Sequence, residues 1–224
     1  SYHEQVRKSS LWERTEVKKL QVAALDKTSP LYEDTDSFDP SVSRDAVEDT
    51  AENLKLAIKL RDKFFPLRDT ANKSLLDRAK IGGSALPKLS REKLADVINA
   101  CLALHKDSAL LLIRDEKVSA AHSGDSRDYS VLEIDQLLDG LQSKMDERCP
   151  GNQFYAGYVD HAITSASWTL PGQREELLDT YIKLLAAEGK SSMAAKLMPG
   201  IRFSTSDTGM ASAKVSALLV RLQY

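Results

Sequence analysis

Hydrophobic positions along the chain recur at two spacings, one typical of helices and one typical of strands. Segments that repeat an apolar residue every three or four positions predict amphipathic helices over residues 43–66, 67–80, 90–105, 131–144 and 173–188. In the first segment, Pro66 ends an apolar stripe formed by Val47, Ala51, Leu54, Ile58 and Phe65. In the last segment, the residues predicted to face the core are Leu177, Tyr181, Leu184 and Leu185.

Two other segments have the pattern of a β-hairpin, with an apolar strand, a polar turn and a returning strand. They cover residues 110–123 and residues 201–219, and residues 156–170 alternate as one long strand. The sequence therefore predicts an α+β fold. In it, a mixed or antiparallel sheet, built from the two hairpins and the long strand, packs against four or five helices.

The final strand has no predicted neighbour on its outer side, and an open strand edge favours pairing with another chain. Two explanations stay open for the missing neighbour. Either the native protein continues past Tyr224, or a partner supplies the strand, in which case the chain forms oligomers.

Charge divides the first half of the chain. Residues 26–53 hold nine acidic and two basic residues, and Pro30 and Pro40 interrupt them, which predicts a surface loop over residues 26–41. We therefore expect an N-terminal arm and acidic loop over residues 1–41, followed by a single α+β domain over residues 42–224.

Composition excludes several classes of protein. The 224 residues carry a formal net charge of −2, and no apolar run approaches the ~20 residues of a membrane helix. Cys101 and Cys149 are the only cysteines, too few for a secreted disulfide scaffold, so a reducing cytoplasm is expected. The four histidines show no ligand spacing, and neither a metal site nor a cofactor is predicted.

Several short motifs between residues 67 and 141 resemble the phage/plasmid-like protein family, a domain family of unknown function found on mobile elements. The matching positions are Ile81-Gly82, the apolar helix over 94–104, the strand that ends at Arg114, the returning strand that ends at Ser123, Tyr129, and the helix over 134–141. Thr205-Ser206-Asp207-Thr208-Gly209 fits a later motif of the family, whereas Ala-Ala-His-Ser before residue 124 departs from it. The resemblance implies an origin in a phage, prophage or plasmid, often among genes for DNA recombination or single-strand handling.

Basic residues follow the acidic segment directly, with eleven basic and four acidic residues between positions 54 and 93. One interpretation is a surface that follows the phosphates of DNA. The other is ordinary solvated helix faces that are attracted to the acidic loop. For the first interpretation, the predicted nucleic-acid contacts are Lys63, Arg68, Lys73, Arg78, Lys80 and Arg114. Arg114 either reaches a phosphate or pairs with Asp128 or Glu133.

No catalytic residue is predicted. His122-Ser123-Gly124-Asp125-Ser126 lacks the Gly-x-Ser-x-Gly elbow of a serine nucleophile, because position 121 is alanine, and turn chemistry explains its residues. Ser206-Asp207-Thr208-Gly209 is likewise predicted to be a hairpin turn, with Gly209 at positive φ.

Two functions remain as hypotheses. The first is a non-enzymatic protein that associates with nucleic acid, in single-strand binding or annealing during recombination. The alternative is a protein-interaction module that acts on a host defence or replication factor, with the acidic segment imitating the charge of DNA.

Overall fold

The computed structural model describes residues 10–131 and 133–221. Within them the chain forms seven α-helices and ten β-strands, and the strands pair in three antiparallel sheets, which confirms the predicted α+β class. The chain divides into two compact units, Ser1–Val131 and Leu132–Tyr224. The start of the predicted N-terminal arm, residues 1–9, and residues 222–224 lie outside the described residues.

Two three-stranded sheets form the frame of the first unit. One has the order β1-β5-β6 and consists of β1 (Ser10–Glu16), β5 (Ser108–Arg114) and β6 (Lys117–Ser123). The other has the order β2-β3-β4 and consists of β2 (Gln21–Ala24), β3 (Leu56–Leu60) and β4 (Lys63–Pro66). The β5–β6 pair confirms the first predicted hairpin.

Four helices complete the first unit: α1 (Pro30–Glu33), α2 (Arg44–Glu52), α3 (Asp69–Arg78) and α4 (Arg91–Leu102). The hydroxyls of Ser43 and Ser90 cap α2 and α4 by accepting a backbone N–H three residues later. The main core joins both sheets to α3 and α4, and Ile58, Ile98 and Leu111 are fully buried in it.

The predicted helix over residues 43–66 is only partly correct. The helix ends at Glu52, Lys55 adopts a positive φ of 63°, and the chain then forms the β3–β4 hairpin. β3 is the central strand of its sheet, with four of its five residues buried. Residues 54–60 alternate between large apolar residues and lysine or alanine, as a strand does, but Leu54 and Ile58 also fit the four-residue spacing of a helix. The predicted helical stripe was therefore extended through this strand.

The predicted division into an arm with an acidic loop and one domain also differs from the structure. β1 and β2 lie inside the predicted arm, yet they pair with β5 and β3. The acidic residues of the predicted loop mostly stabilise turns, since Asp26 accepts hydrogen bonds from Thr28 and Asp39 accepts them from Ser41. The predicted single domain over 42–224 is divided near residue 131.

The second unit contains one four-stranded sheet with the order β10-β9-β8-β7. Its elements are α5 (Ile134–Arg148), β7 (Gln153–Val159), β8 (Thr164–Thr169), α6 (Arg174–Ala187), α7 (Ser191–Ala195), β9 (Leu197–Thr205) and β10 (Lys214–Arg221). Trp168 and Phe203 pack with Met145 of α5 on one face of this sheet, and the Trp168 indole donates a 2.6 Å hydrogen bond to Gln142. The two predicted hairpins therefore belong to separate sheets rather than to one.

The predicted long strand over 156–170 is divided into β7 and β8 by a turn. The Asp160 carboxylate accepts hydrogen bonds of 2.7 Å from the backbone N–H groups of Ala162 and Ile163, and this reverses the chain. At the second predicted turn, Gly209 has the expected positive φ, 76°, and Ser206 Oγ accepts from Thr208 N and Met210 N.

None of the helices in the described ranges is both long enough and apolar enough to cross a membrane.

Candidate nucleic-acid interface

The six cations predicted to contact nucleic acid do not form one group. Lys73 on α3 and Lys80 just after it are exposed, and neither makes an ion pair within the described residues. Arg68 is half-buried with a guanidinium nitrogen 3.6 Å from Asp115, and Arg78 lies 3.4 Å from Asp77. Carboxylates thus interrupt the predicted surface along α3.

Arg114 is buried, with 6% of its surface exposed, and its Nε donates a 2.9 Å hydrogen bond to Ser10 Oγ. Ser10 is the residue directly opposite Arg114 on β1, so the two side chains meet on one face of the sheet. We therefore leave Arg114 out of the interface.

Lys63 lines a cleft of about 1030 Å³ whose charge is mostly negative. We call it the acidic cleft, and its carboxylates are Glu13, Asp39, Asp45, Asp62, Asp115 and Glu116. Hydrogen bonds from the hydroxyl and the backbone N–H of Ser41 lower the pKa of Asp39, and those from the hydroxyl and the backbone N–H of Ser43 lower the pKa of Glu116. These two groups are ionised at neutral pH, so the acidic cleft disfavours a polyanion around Lys63.

A neighbouring groove of about 700 Å³ has the opposite charge. We call it the cationic groove; it lies between β1 and the end of the β3–β4 hairpin. Its charged and aromatic lining residues are Trp12, Glu13, Arg14, Lys19, Lys59 and Arg61. Four cations and one carboxylate line this groove beside an indole, and Lys19 is also paired with Glu16 at 2.5 Å. Such a surface is suited to phosphates and to a stacked base.

The β1 strand positions two of these side chains. Trp12 and Arg14 are two residues apart and therefore project from the same face of the strand. One Arg14 guanidinium nitrogen donates a close hydrogen bond to the carbonyl of Gly124. This bond fixes the side chain, and the other N–H groups of the guanidinium can still donate to a ligand. Gly124 itself lies so close to β5 that an added Cβ would be 2.7 Å from the Ser108 carbonyl carbon.

The β3–β4 hairpin positions the other wall of the groove. Arg61 is in the turn, with a positive φ of 54°, and its side chain is 80% exposed. Its Nε lies 3.0 Å from the carboxylate of Glu13, which is 14% exposed. Lys59 Nζ lies 5.9 Å from the centre of the Phe64 ring. Glu13 is therefore the carboxylate that opposes the positive charge of the groove from within.

Trp12 belongs to an aromatic cluster on its sheet. Its ring centre lies 5.9 Å from those of His122 and Tyr129, and the latter two rings stack at 3.7 Å and 8°. The segment His122–Ser126, which was compared with a serine nucleophile site, therefore has structural contacts. His122 belongs to this cluster, and Ser123 Oγ donates a hydrogen bond to Asp128 in the following turn. Across the described residues, no group of three or more His, Cys, Asp or Glu side chains could hold a metal ion.

Trp12, Arg14 and Lys19 were not predicted as functional residues. Lys59 and Arg61 were counted among the eleven cations of residues 54–93 but were not among the six predicted contacts. The alternation of Trp12 and Arg14 is a strand signal that could have placed them on one face. Nothing local indicates that β1 approaches the β3–β4 turn, because this proximity depends on pairing across about 100 residues.

Comparison with known proteins finds no protein-family model, no curated protein and no solved structure that matches the chain. The resemblance to the phage/plasmid-like family stays a prediction from its motifs.

Proposed function

We propose that the protein is a non-enzymatic nucleic-acid-binding protein that holds a single strand in the cationic groove. The observation that carries this proposal is the convergence of Arg14, Lys19, Lys59 and Arg61 on one groove walled by Trp12. Cations neutralise phosphates whatever the base sequence, and an aromatic ring stacks with any unpaired base. A role in strand binding or annealing on a mobile element, within the cytoplasm, is part of this proposal.

The acidic cleft limits where a bound strand can lie on the surface of the first unit. It shares Leu11, Glu13, Leu60 and Arg61 with the cationic groove, so the two surfaces meet there. A polyanion in the groove gains from four cations, whereas one that extends past Arg61 meets ionised carboxylates. This arrangement favours a short strand held on one side of the hairpin.

The test is a fluorescence-polarisation titration with a labelled single-stranded oligonucleotide and its duplex, at low and at physiological salt. Lys59→Gln with Arg61→Gln removes two groove charges and should weaken single-strand binding by about tenfold at low salt. The matched control is Lys73→Gln with Lys80→Gln, which removes two exposed charges of the same unit outside the groove. We expect it to change affinity by less than about twofold.

Trp12→Leu tests stacking separately from charge. It should weaken single-strand binding by about tenfold and duplex binding much less, since paired bases are not free to stack. The proposal is overturned if the wild-type protein binds neither oligonucleotide at low salt. It is also overturned if the groove variants and the control variant lose the same amount of affinity.

The acidic cleft favours the alternative hypothesis, a surface for a basic segment of a partner protein. Binding of a lysine-rich peptide that is lost in Asp45→Asn with Asp62→Asn, in a protein that retains no oligonucleotide, would favour that alternative. Self-association through the open edge of β10 also stays a prediction.

A further inference from the structure

Hydroxyl side chains and two cations occupy one face of the second unit's sheet. The face that packs on α5 carries Ala166, Trp168 and Phe203. Because strand side chains alternate, the opposite face carries the residues between them. Two cross-strand rows there run through β8, β9 and β10 as Ser165–Ser204–Lys214 and Ser167–Arg202–Ser216.

The two cations are exposed, and their charge is not neutralised. Within residues 133–221, neither Arg202 nor Lys214 makes an ion pair with a carboxylate. Arg202 Nε donates a 3.2 Å hydrogen bond to the buried Ser167 hydroxyl. This bond orients the guanidinium, and its two terminal nitrogens can still donate to a ligand. Tyr158, at the far end of the Lys214 row, donates its hydroxyl proton to Asp160 at 2.6 Å.

Register brings these groups within reach of one small anion. Lys214 is directly opposite Ser204, and Arg202 is directly opposite Ser216. Arg202 and Lys214 are therefore diagonal neighbours, whose backbone positions are roughly 7–8 Å apart on one face. The Ser167 hydrogen bond holds the Arg202 guanidinium on the β8 side, so a shared anion lies above Ser204, the β9 residue that separates Lys214 from β8. The long Lys214 side chain can reach this position, and the Ser204 hydroxyl is a further donor.

We infer that this face binds a phosphate group through Arg202 and Lys214. The guanidinium offers two terminal nitrogens to two phosphate oxygens, the ammonium adds a point charge, and the Ser204 hydroxyl donates to a remaining oxygen. This site is in the second unit and does not depend on the cationic groove. The phosphate can belong to a free phosphate ion or to a phosphodiester, and the recognition chemistry is shared.

The experiment follows backbone amide shifts of the full chain by NMR during titration with inorganic phosphate at constant ionic strength. In the wild-type protein, the amides of Ser165, Ser204 and Ser216 should shift together and saturate. Arg202→Gln with Lys214→Gln should raise the midpoint concentration by about fivefold or more. Both side chains are exposed, and an otherwise unchanged amide spectrum checks that the variant is folded.

The matched control is Arg221→Gln. Arg221 is an exposed cation of the same strand, but it is seven residues from Lys214 and so on the opposite face. This variant should keep the wild-type midpoint within about twofold. Shifts that do not saturate, that spread evenly over the unit, or that are equal in both variants would overturn the inference.

Two further arms identify the ligand. A dinucleoside phosphodiester titrated in the same way separates a backbone phosphate from a free one, and saturation by either supports the site. Acetate should cause no saturating shift, and equal binding of acetate would contradict a phosphate site. The Lys59→Gln/Arg61→Gln variant should bind inorganic phosphate here as the wild type does, so failure of one proposal leaves the other measurable.

Discussion

At the scale of single residues, a buried lysine next to the β5–β6 turn forms an ion pair that joins this turn to α2. Lys117 is 7% exposed, and its ammonium donates a close hydrogen bond to the carboxylate of Asp49 on α2. The neighbouring Glu116 accepts a 2.9 Å hydrogen bond from the backbone N–H of Ser43, the residue that caps α2. The turn therefore anchors this helix through two carboxylate contacts.

Asp49→Asn should lower the free energy of unfolding by about 1–3 kcal/mol at pH 7, because it leaves a buried ammonium without its anion. The range is below that of a fully buried pair, since the Asp49 side chain is 63% exposed. Chemical denaturation measures the change. Asp45→Asn, on the exposed side of the same helix, is the control, and an equal effect there would contradict a role for the ion pair.

The same pair predicts the direction of the pH dependence. The hydrogen bond from Lys117 is the main cause that lowers the pKa of Asp49 below the ordinary value of an aspartate. A lowered pKa in the folded state stabilises the protein above the unfolded value, and this stabilisation is lost as the pH falls through the folded value. The wild type should therefore lose more stability than Asp49→Asn between pH 5 and about pH 2.

At the scale of elements, α6 differs from its predicted orientation. Leu177, Tyr181 and Leu184 were predicted to face the core together with Leu185 but are 56%, 46% and 61% exposed. Leu178 and Leu185 are buried and pack against Ala194 and Leu197 instead. The helix is apolar on more than one side, so the 3.6-residue period alone did not decide which side is inward.

This orientation predicts a contrast between adjacent leucines. Leu178→Ala should destabilise the second unit by about 2–3 kcal/mol, because it removes a buried side chain and leaves a cavity. Leu177→Ala removes the same atoms from an exposed position and should cost less than about 0.5 kcal/mol. Thermal unfolding of both variants, followed by circular dichroism, checks the contrast, and equal losses would mean that Leu177 is also covered.

The elements that were predicted correctly have strong local signals. The helix after Ser90 begins with a side-chain cap, and the hairpin around Asp115 has a polar turn between two apolar strands. The strand Leu56–Leu60 was missed although residues 54–60 alternate, because Leu54 and Ile58 also fit the four-residue spacing of the helix before it. The cationic groove was missed for a different reason: Trp12, Lys59 and Arg61 meet only through long-range packing, which residue spacing does not encode.

At the scale of the whole molecule, a small net charge conceals two strongly charged surfaces. The formal net charge is −2, yet the first unit places the acidic cleft and the cationic groove side by side. Bulk charge therefore gives no argument for a polyanionic partner, whereas the local arrangement does. Glu13 and Arg61 line both surfaces, so their ion pair is where the two fields meet.

Glu13→Gln should strengthen single-strand binding by about three- to tenfold at low salt, because it frees Arg61 and removes the carboxylate that lines the groove. Four groove cations predict a slope of roughly −2 to −3 in a plot of log affinity against log salt, at about −0.7 per neutralised phosphate. The gain in Glu13→Gln should shrink as salt rises, since screening weakens the charge that the substitution uncovers.

Glu92→Gln, the same change on the exposed surface of α4, controls for net charge, and fluorescence polarisation at four salt concentrations measures both variants. A gain of equal size in Glu92→Gln would show that binding follows the overall charge of the protein rather than the cations gathered beside Trp12.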